Sequence, residues 1–246
     1  MNKPLHIGIL RADDVIDELA NGHGQYPEMF EDLLRRANRS RSNSLELRFS
    51  SYAVNHGQYP ADIDEVDGYI LTGSKSSVYD DVAWINELGE FVRQLHQCKK
   101  KLLGICFGHQ MVAQALGGST QKSDKGWGIG VKDASFDAEA VRGLEAFSGS
   151  ESFKLIYSHQ DQVISPARGS VVLAGNAFCP VAMTAIEEHV LTFQGHPEFS
   201  AGFARAVYDF RREGYPEDLY KEAVESLGDE ADSEVVANWM IDFFIQ

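Results

Sequence analysis

Lys101-Leu-Leu-Gly-Ile-Cys-Phe-Gly-His-Gln-Met111 is the stretch on which the fold turns. Leu102, Leu103 and Ile105 make an apolar run of the length of a short buried strand. Met111, Val112, Ala115 and Leu116 then recur at helical spacing and end at Gly117-Gly118, a helix stop. Cys106 therefore stands at a strand-to-helix junction. Gly104 and Gly108 bracket it with small residues, the layout of a nucleophile elbow with cysteine in the place of serine. The partial positive charge and free N–H groups of a helix N-terminus favour a thiolate there. A small buried cysteine is the competing reading, so the decision rests on partners elsewhere in the chain.

Working outward, the upstream half alternates strands and helices. Leu5 to Leu10 reads as a strand, and Pro27 opens a helix with Met29, Phe30, Leu33 and Leu34 on one face. Leu45 to Phe49 alternates like a half-exposed strand. Val66 to Gly73 is an apolar strand running into the small-residue loop Ser74-Lys-Ser-Ser77, and a helix follows from about Asp81 to Cys98. This alternation predicts an α/β fold of three layers, an open and mostly parallel central sheet with helices on both faces. Sites in such sheets lie at the carboxyl ends of strands, where Gly73 and Cys106 both fall.

Downstream the texture changes to short segments separated by turns: 127–131, 153–157, 170–174, 181–186 and 190–194, read as an additional short-strand meander. Gln194-Gly-His-Pro-Glu198 interrupts that pattern. Helices are expected from Ser200 to Arg212, Tyr215 to Leu227 and Glu234 to Phe244. His-Gly-Gln-Tyr-Pro occurs at both His23 and His56, but the flanks differ, so these are two loop segments rather than a repeat. No low-complexity linker divides the chain, and a single domain over 1–246 is expected.

Composition is that of a globular protein, with 43% hydrophobic and 24% charged residues among 246. The net charge of −15 repels nucleic acid and anionic membrane surfaces. Asp229 to Glu234 is read as a solvated, helix-starting acidic cluster. The three cysteines, Cys98, Cys106 and Cys179, have no Cys-x-x-Cys spacing, which argues against a disulfide framework or a zinc site and for a reducing cytoplasm. The run Leu5 to Leu10 is too short and too interrupted for a signal peptide or membrane span. No His/Asp/Glu grouping has ligand spacing, so neither a metal nor an organic cofactor is expected.

A cysteine nucleophile needs a base, and histidine is tuned for that range. His196 follows a predicted strand end and lies two residues before Glu198. Strand geometry repeats side-chain direction every second residue, so the imidazole and carboxylate can project to one site, the carboxylate orienting the ring. An oxyanion hole requires two donors. The Phe107 N–H after the nucleophile is one and Gly73 N–H the natural second. Cys98 and Cys179 lack such company and read as bystanders, and His109 reads as a packing or capping residue.

Taken together, Gly104-Ile-Cys-Phe-Gly-His-Gln110, Leu71-Thr-Gly-Ser74, Tyr157-Ser-His159 and Gly195-His-Pro-Glu198 resemble the class I glutamine amidotransferases. The free-standing proteins similar to the amidotransferase domain of GMP synthase are the nearest branch. The resemblance implies a flavodoxin-like sheet and a Cys106-His196-Glu198 triad that forms a γ-glutamyl thioester and releases ammonia and glutamate from glutamine. It further implies oxyanion support from Gly73 and Phe107, and that Gln110, Ser158 and His159 border the glutamine, the last two mainly through backbone contacts. Two features depart from the pattern. Thr72-Gly73-Ser74 stands where many members carry Gly-Gly-Pro, and no ATP-pyrophosphatase domain or phosphate loop follows. The ammonia would therefore go to a separate synthase subunit, or the chain is a γ-glutamyl peptidase using the same thioester chemistry. A non-catalytic binding protein that keeps the fold is a third reading, against which the intact Cys106, His196 and Glu198 argue.

Overall fold

Short buried strands alternating with one-faced helices can bury both only by stacking helices on the two faces of a sheet. The computed structural model describes residues 3–147 and 149–246 and has that arrangement. Strands β1 (Leu5–Arg11), β2 (Leu47–Ala53), β3 (Gly68–Leu71) and β4 (Lys101–Ile105) alternate with helices α1 (Asp17–His23), α2 (Tyr26–Arg39), α3 (Ala83–Gln97) and α4 (Phe107–Ala115). Seven strands follow: β5 (Ser119–Lys122), β6 (Gly128–Phe136), β7 (Ser152–His159), β8 (Asp161–Ser165), β9 (Val171–Gly175), β10 (Met183–Ile186) and β11 (Val190–Phe193). Helices α5 (Ala201–Phe210), α6 (Glu217–Ser226) and α7 (Ser233–Ile245) close the chain.

The sheet order is β2-β1-β3-β4-β11-β10-β9-β6-β7, with β5 and β8 paired separately. Strands β2-β1-β3-β4-β11 are all parallel, the flavodoxin-like part of the molecule. From β11 onward the pairings are antiparallel. Helices α2 and α7 bury one face of the sheet, with Phe30, Leu33, Leu34, Met240 and Ile241 in that core. Helix α3 and α4 cover the other through Leu88, Val92, Leu95, Met111 and Val112. Sequence explains the starts of these helices: Pro27 lies in the first turn of α2, where Gln25 and Glu28 form a capping box, and the Ser200 hydroxyl accepts from Phe203 N–H at 3.0 Å to cap α5.

The short downstream strands continue the main sheet, and the last of them, β11, pairs parallel with β4. All four β11 residues are buried, which an interior strand requires and an outer meander strand does not. Strand β2 begins two residues later than expected and runs to Ala53, since an edge strand with Ser50 and Ser51 at its middle carries little apolar signal. Helix α1 and the β5–β8 pair were not expected. Helix α1 buries none of its residues, so no apolar stripe betrays it.

Register brings the functional segments to one edge. Leu71 is level with Gly104 and Phe193 with Ile105, so Gly73, Cys106 and the segment beginning at Gln194 emerge side by side. Two bonds continue the ladders past the strand ends: Thr72 N–H to the Leu10 carbonyl at 3.1 Å and Cys106 N–H to the Phe193 carbonyl at 2.8 Å.

Candidate active site

Cys106 is the residue between β4 and α4, and its backbone sits at φ 51°, ψ −100°. A non-glycine residue held there stores about 1–3 kcal/mol of strain, which the surrounding structure must enforce. The enforcement is visible. A Cβ on Gly108 would lie 2.3 Å from the Leu71 carbonyl oxygen, and one on Gly104 would lie 2.7 Å from that of Gly108. Strand β3, strand β4 and helix α4 thus meet backbone to backbone, at distances only glycine permits, and the turn at Cys106 follows from that closeness.

Gly73 abuts the same point: a Cβ there would meet His196 Cε1 at 3.0 Å and Cys106 Cβ at 3.8 Å. Its N–H has no partner among the described residues. Phe107 opens α4, so its N–H lacks an intrahelical acceptor. The Phe107 ring is buried away from the cleft, 5.7 Å from Trp84, which leaves only its backbone for the site.

His196 is fixed from three directions. Its N–H donates to the Ile156 carbonyl at 2.8 Å, its Nδ1 donates to Glu198 Oε1 at 2.8 Å, and its ring stacks on Phe199 with centroids 3.9 Å apart. The His196 and Glu198 side chains are 4% and 0% exposed, so their attraction is little screened. Burial pushes the imidazole down, but the Glu198 carboxylate, and after it the Cys106 sulfur beside the ring, outweigh this and hold it well above its ordinary range. The remaining Glu198 oxygen, Oε2, is buried without a partner among the described residues.

A cleft of about 850 Å³ opens beside Cys106, and Gln110, Ser158 and His159 line it with the cysteine. Gln110 Nε2 donates to the Asp161 carbonyl at 2.7 Å and to Gln194 Oε1 at 3.1 Å. The Ser158 hydroxyl and both His159 ring nitrogens are buried without partners among the described residues. Burial, then repulsion from His196, depress His159 to about 3, so its ring is neutral at physiological pH. Unsatisfied polar atoms at the wall of a cleft are costly unless a ligand or water completes them.

Asp13 and Asp161 escaped the sequence reading. Asp13, 8% exposed, accepts from Lys75 N–H at 2.9 Å and pairs with Lys75 Nζ at 3.1 Å. Asp161 accepts from the Ser77 hydroxyl at 2.5 Å and the Tyr79 hydroxyl at 2.9 Å. Between them they fix the loop after Gly73. The signal was there, acids directly after two strand ends, but without a motif to single it out. His109 is buried with Thr192 Oγ1 at 2.7 Å and the Val181 carbonyl at 3.0 Å, and burial lowers it to about 4. Cys179 is buried and its thiol pushed up to about 12 by burial, while Cys98 is exposed at the end of α3. Among the described residues no group of three His, Cys, Asp or Glu is disposed as metal ligands, and no helix is long and apolar enough to cross a membrane.

The chain has counterparts among known proteins. A glutamine amidotransferase-like protein of Schizosaccharomyces pombe is 30% identical over 98% of this chain and 99% of its own. Gamma-glutamyl peptidase 3 of Arabidopsis thaliana is 36% identical over 64% of this chain and 66% of its own. A glutamine amidotransferase of Thermotoga maritima superposes with a TM-score of 0.74 over 99% of this chain and 97% of its own at 16% identity, a likeness of fold. Residues 30–211 match the family description "Glutamine amidotransferase class-I", a span running from α2 through the cysteine turn and the His196–Glu198 pair to the end of α5. By sequence and fold alike, the chain belongs to the class I glutamine amidotransferase family.

Proposed function

We propose that the chain hydrolyses a γ-glutamyl amide through a thioester on Cys106. The observation that carries this reading is the strained Cys106 turn, held against Gly73 and beside an imidazole that Glu198 keeps protonated. His196 holds the proton that the Cys106 thiol has given up, and the thiolate attacks the γ-carbonyl carbon. Negative charge develops on the carbonyl oxygen, where the Gly73 and Phe107 N–H groups receive it. The C–N bond breaks as His196 returns the proton to the departing nitrogen, leaving a γ-glutamyl thioester. Water, deprotonated by His196, then attacks the thioester; the C–S bond breaks, and glutamate and the thiol are regenerated. Glu198 orients the ring and stabilises its charged form throughout.

Gln110, Ser158 and His159 hold the glutamyl head. The Ser158 hydroxyl and neutral His159 ring, unpartnered among the described residues, can each donate to a carboxylate or accept from an ammonium. Glutamine is one substrate of this class, with ammonia leaving for water or for a separate synthase subunit. A γ-glutamyl peptide is the other. The cleft of about 850 Å³ favours it, being of a size that encloses a much larger ligand than glutamine, and one relative bears the name gamma-glutamyl peptidase. No cofactor or metal is needed for these steps. Three free thiols suit a reducing cytoplasm, and the charge of −15 gives nucleic acid no foothold.

The test is intact-protein mass spectrometry after rapid mixing with glutamine and with γ-glutamyl dipeptides. A γ-glutamyl adduct on Cys106, absent in Cys106→Ala, is expected, with ammonia or the free amino acid released in step. No adduct and no turnover with any γ-glutamyl compound would sink the proposal.

A further inference from the structure

The part of the cleft not used by the glutamyl head is amphipathic. Leu19 of α1 and Val207 and Phe210 of α5 line it, and Phe210 is 61% exposed. A large aromatic side chain left open in the wall of a cleft is apolar surface that a bound ligand can cover.

The cleft's charges are mostly matched already. Asp13 pairs with Lys75, Asp14 with Arg11, Asp209 with Arg205 and Arg212 with Glu217. Asp161 accepts its two hydroxyls, and Glu213 is exposed at the rim, where solvent screens it. Arg211 differs. It is half-buried, lines the cleft and has no carboxylate within ion-pair distance among the described residues. Its guanidinium lies within electrostatic reach of the Tyr26 hydroxyl, which also feels the charges of Cys106 and Glu198. Tyr26, Cys106 and Arg211 line the same cleft. An unmatched guanidinium over an apolar wall is suited to bind a carboxylate whose neighbouring side chain is apolar.

Building on the thioester reading above, we propose that Arg211 and the Leu19–Val207–Phe210 wall form a leaving-group subsite. It selects γ-glutamyl peptides whose departing residue has a free carboxylate and a large apolar side chain. In the acylation step that residue leaves as its free amine, taking the proton from His196, while its carboxylate stays on Arg211 until release.

Steady-state kinetics test this with γ-glutamyl-phenylalanine, its C-terminal carboxamide, γ-glutamyl-glycine and glutamine. Wild type should prefer the free acid to the carboxamide in kcat/KM by about ten- to a hundred-fold, the scale of a hydrogen-bonded charge contact. The acid-to-carboxamide ratio cancels any general loss of activity. It should collapse towards one in Arg211→Ala and recover in part in Arg211→Lys, while Phe210→Ser should narrow the preference for phenylalanine over glycine. Equal turnover of acid and carboxamide by wild type overturns the proposal whether or not the variants fold. So does an Arg211→Ala loss that is the same for glutamine as for the dipeptide acid, which would place the glutamyl head's own carboxylate on Arg211. In both cases turnover and the Cys106 adduct persist, and the thioester reading survives. If nothing is cleaved and no adduct forms, both fall together.

Discussion

Gly108→Ala and Gly89→Ala are the same chemical change in two helices, and the structure gives them opposite signs. In the middle of α3, a Cβ on Gly89 would meet Arg93 at 3.6 Å and Met111 Sδ at 3.9 Å, ordinary contact distances. Replacing a mid-helix glycine by alanine then stabilises by roughly 0.5–1 kcal/mol through reduced backbone entropy. On Gly108 the Cβ would stand 2.3 Å from the Leu71 carbonyl oxygen and 3.0 Å from the Leu71 carbonyl carbon. Restoring contact distance requires α4 and the end of β3 to separate by about 1 Å, and overpacking on this scale costs about 1–3 kcal/mol before any gain in helix propensity is deducted. The net expectation is a loss of up to about 2 kcal/mol, against a gain of up to about 1 kcal/mol in α3. In a chain of this size that is a Tm about 2–8 °C lower for Gly108→Ala and about 1–4 °C higher for Gly89→Ala. Because Cys106 is carried on the same turn, a shift of this size should also cut γ-glutamyl hydrolysis about a hundred-fold. Calorimetry and turnover on the two variants decide. A Gly108→Ala protein as stable and active as wild type would show that the close approach does not hold the turn.

Further expectations follow from the buried polar groups. Glu198→Gln removes the charge that keeps His196 protonated but keeps the shape, so kcat should fall about 10²- to 10⁴-fold with little change in fold; unchanged kcat in a glutamate-release assay would remove Glu198 from the mechanism. Gly73→Ala places a methyl 3.0 Å from His196 Cε1, where a ring stacked on Phe199 has little room to move. Activity should drop at least ~10²-fold while urea unfolding shows a normal transition, and an active Gly73→Ala would disprove the contact. His109 and His159, lowered by burial to about 4 and about 3, bind protons more weakly folded than unfolded. Their stabilisation is therefore complete above the ordinary histidine value of about 6.5 and is lost as pH falls below it, by about 2 kcal/mol each at pH 5. Urea midpoints at pH 7 and pH 5 should show that loss, and it should shrink in His109→Gln; a drop of the same size in both proteins would contradict the assignment.

What could be read in the sequence was what has a period or a motif. The largely apolar β4 and β3, the one-sided α3 and the glycine-bracketed cysteine are all legible, and so are the Gly73 loop and His196-Pro-Glu198. Nothing local says that β11 pairs parallel with β4, because an interior strand and a meander strand of four residues look alike; the decision is made by partners about ninety positions away. The wall that α1 and α5 build is silent for another reason. Helix α1 has no fully buried residue, Arg211 and Leu19 belong to no pattern, and the helical spacing of Phe203, Val207 and Phe210 does not say which of them will line a cleft.

The buried histidines His196 and His159 explain how one small site divides its labour. His196 and His159 are both buried, and burial alone would strip the proton from each. Glu198, at 2.8 Å, reverses this for His196. No carboxylate contacts the His159 ring among the described residues, and the proton on His196 repels a second one so close by. A single carboxylate thus makes one imidazole a proton carrier and its neighbour a neutral ring able both to donate and to accept. On the proposed reading, the reacting charges are confined to Cys106, His196 and Glu198, and a glutamyl head would meet neutral polar groups with no fixed charge competing for the thiolate. In a chain of net charge −15, attraction for a second carboxylate on the substrate must then come from a local cation, and Arg211 is the half-buried one in the cleft with no carboxylate at ion-pair distance among the described residues.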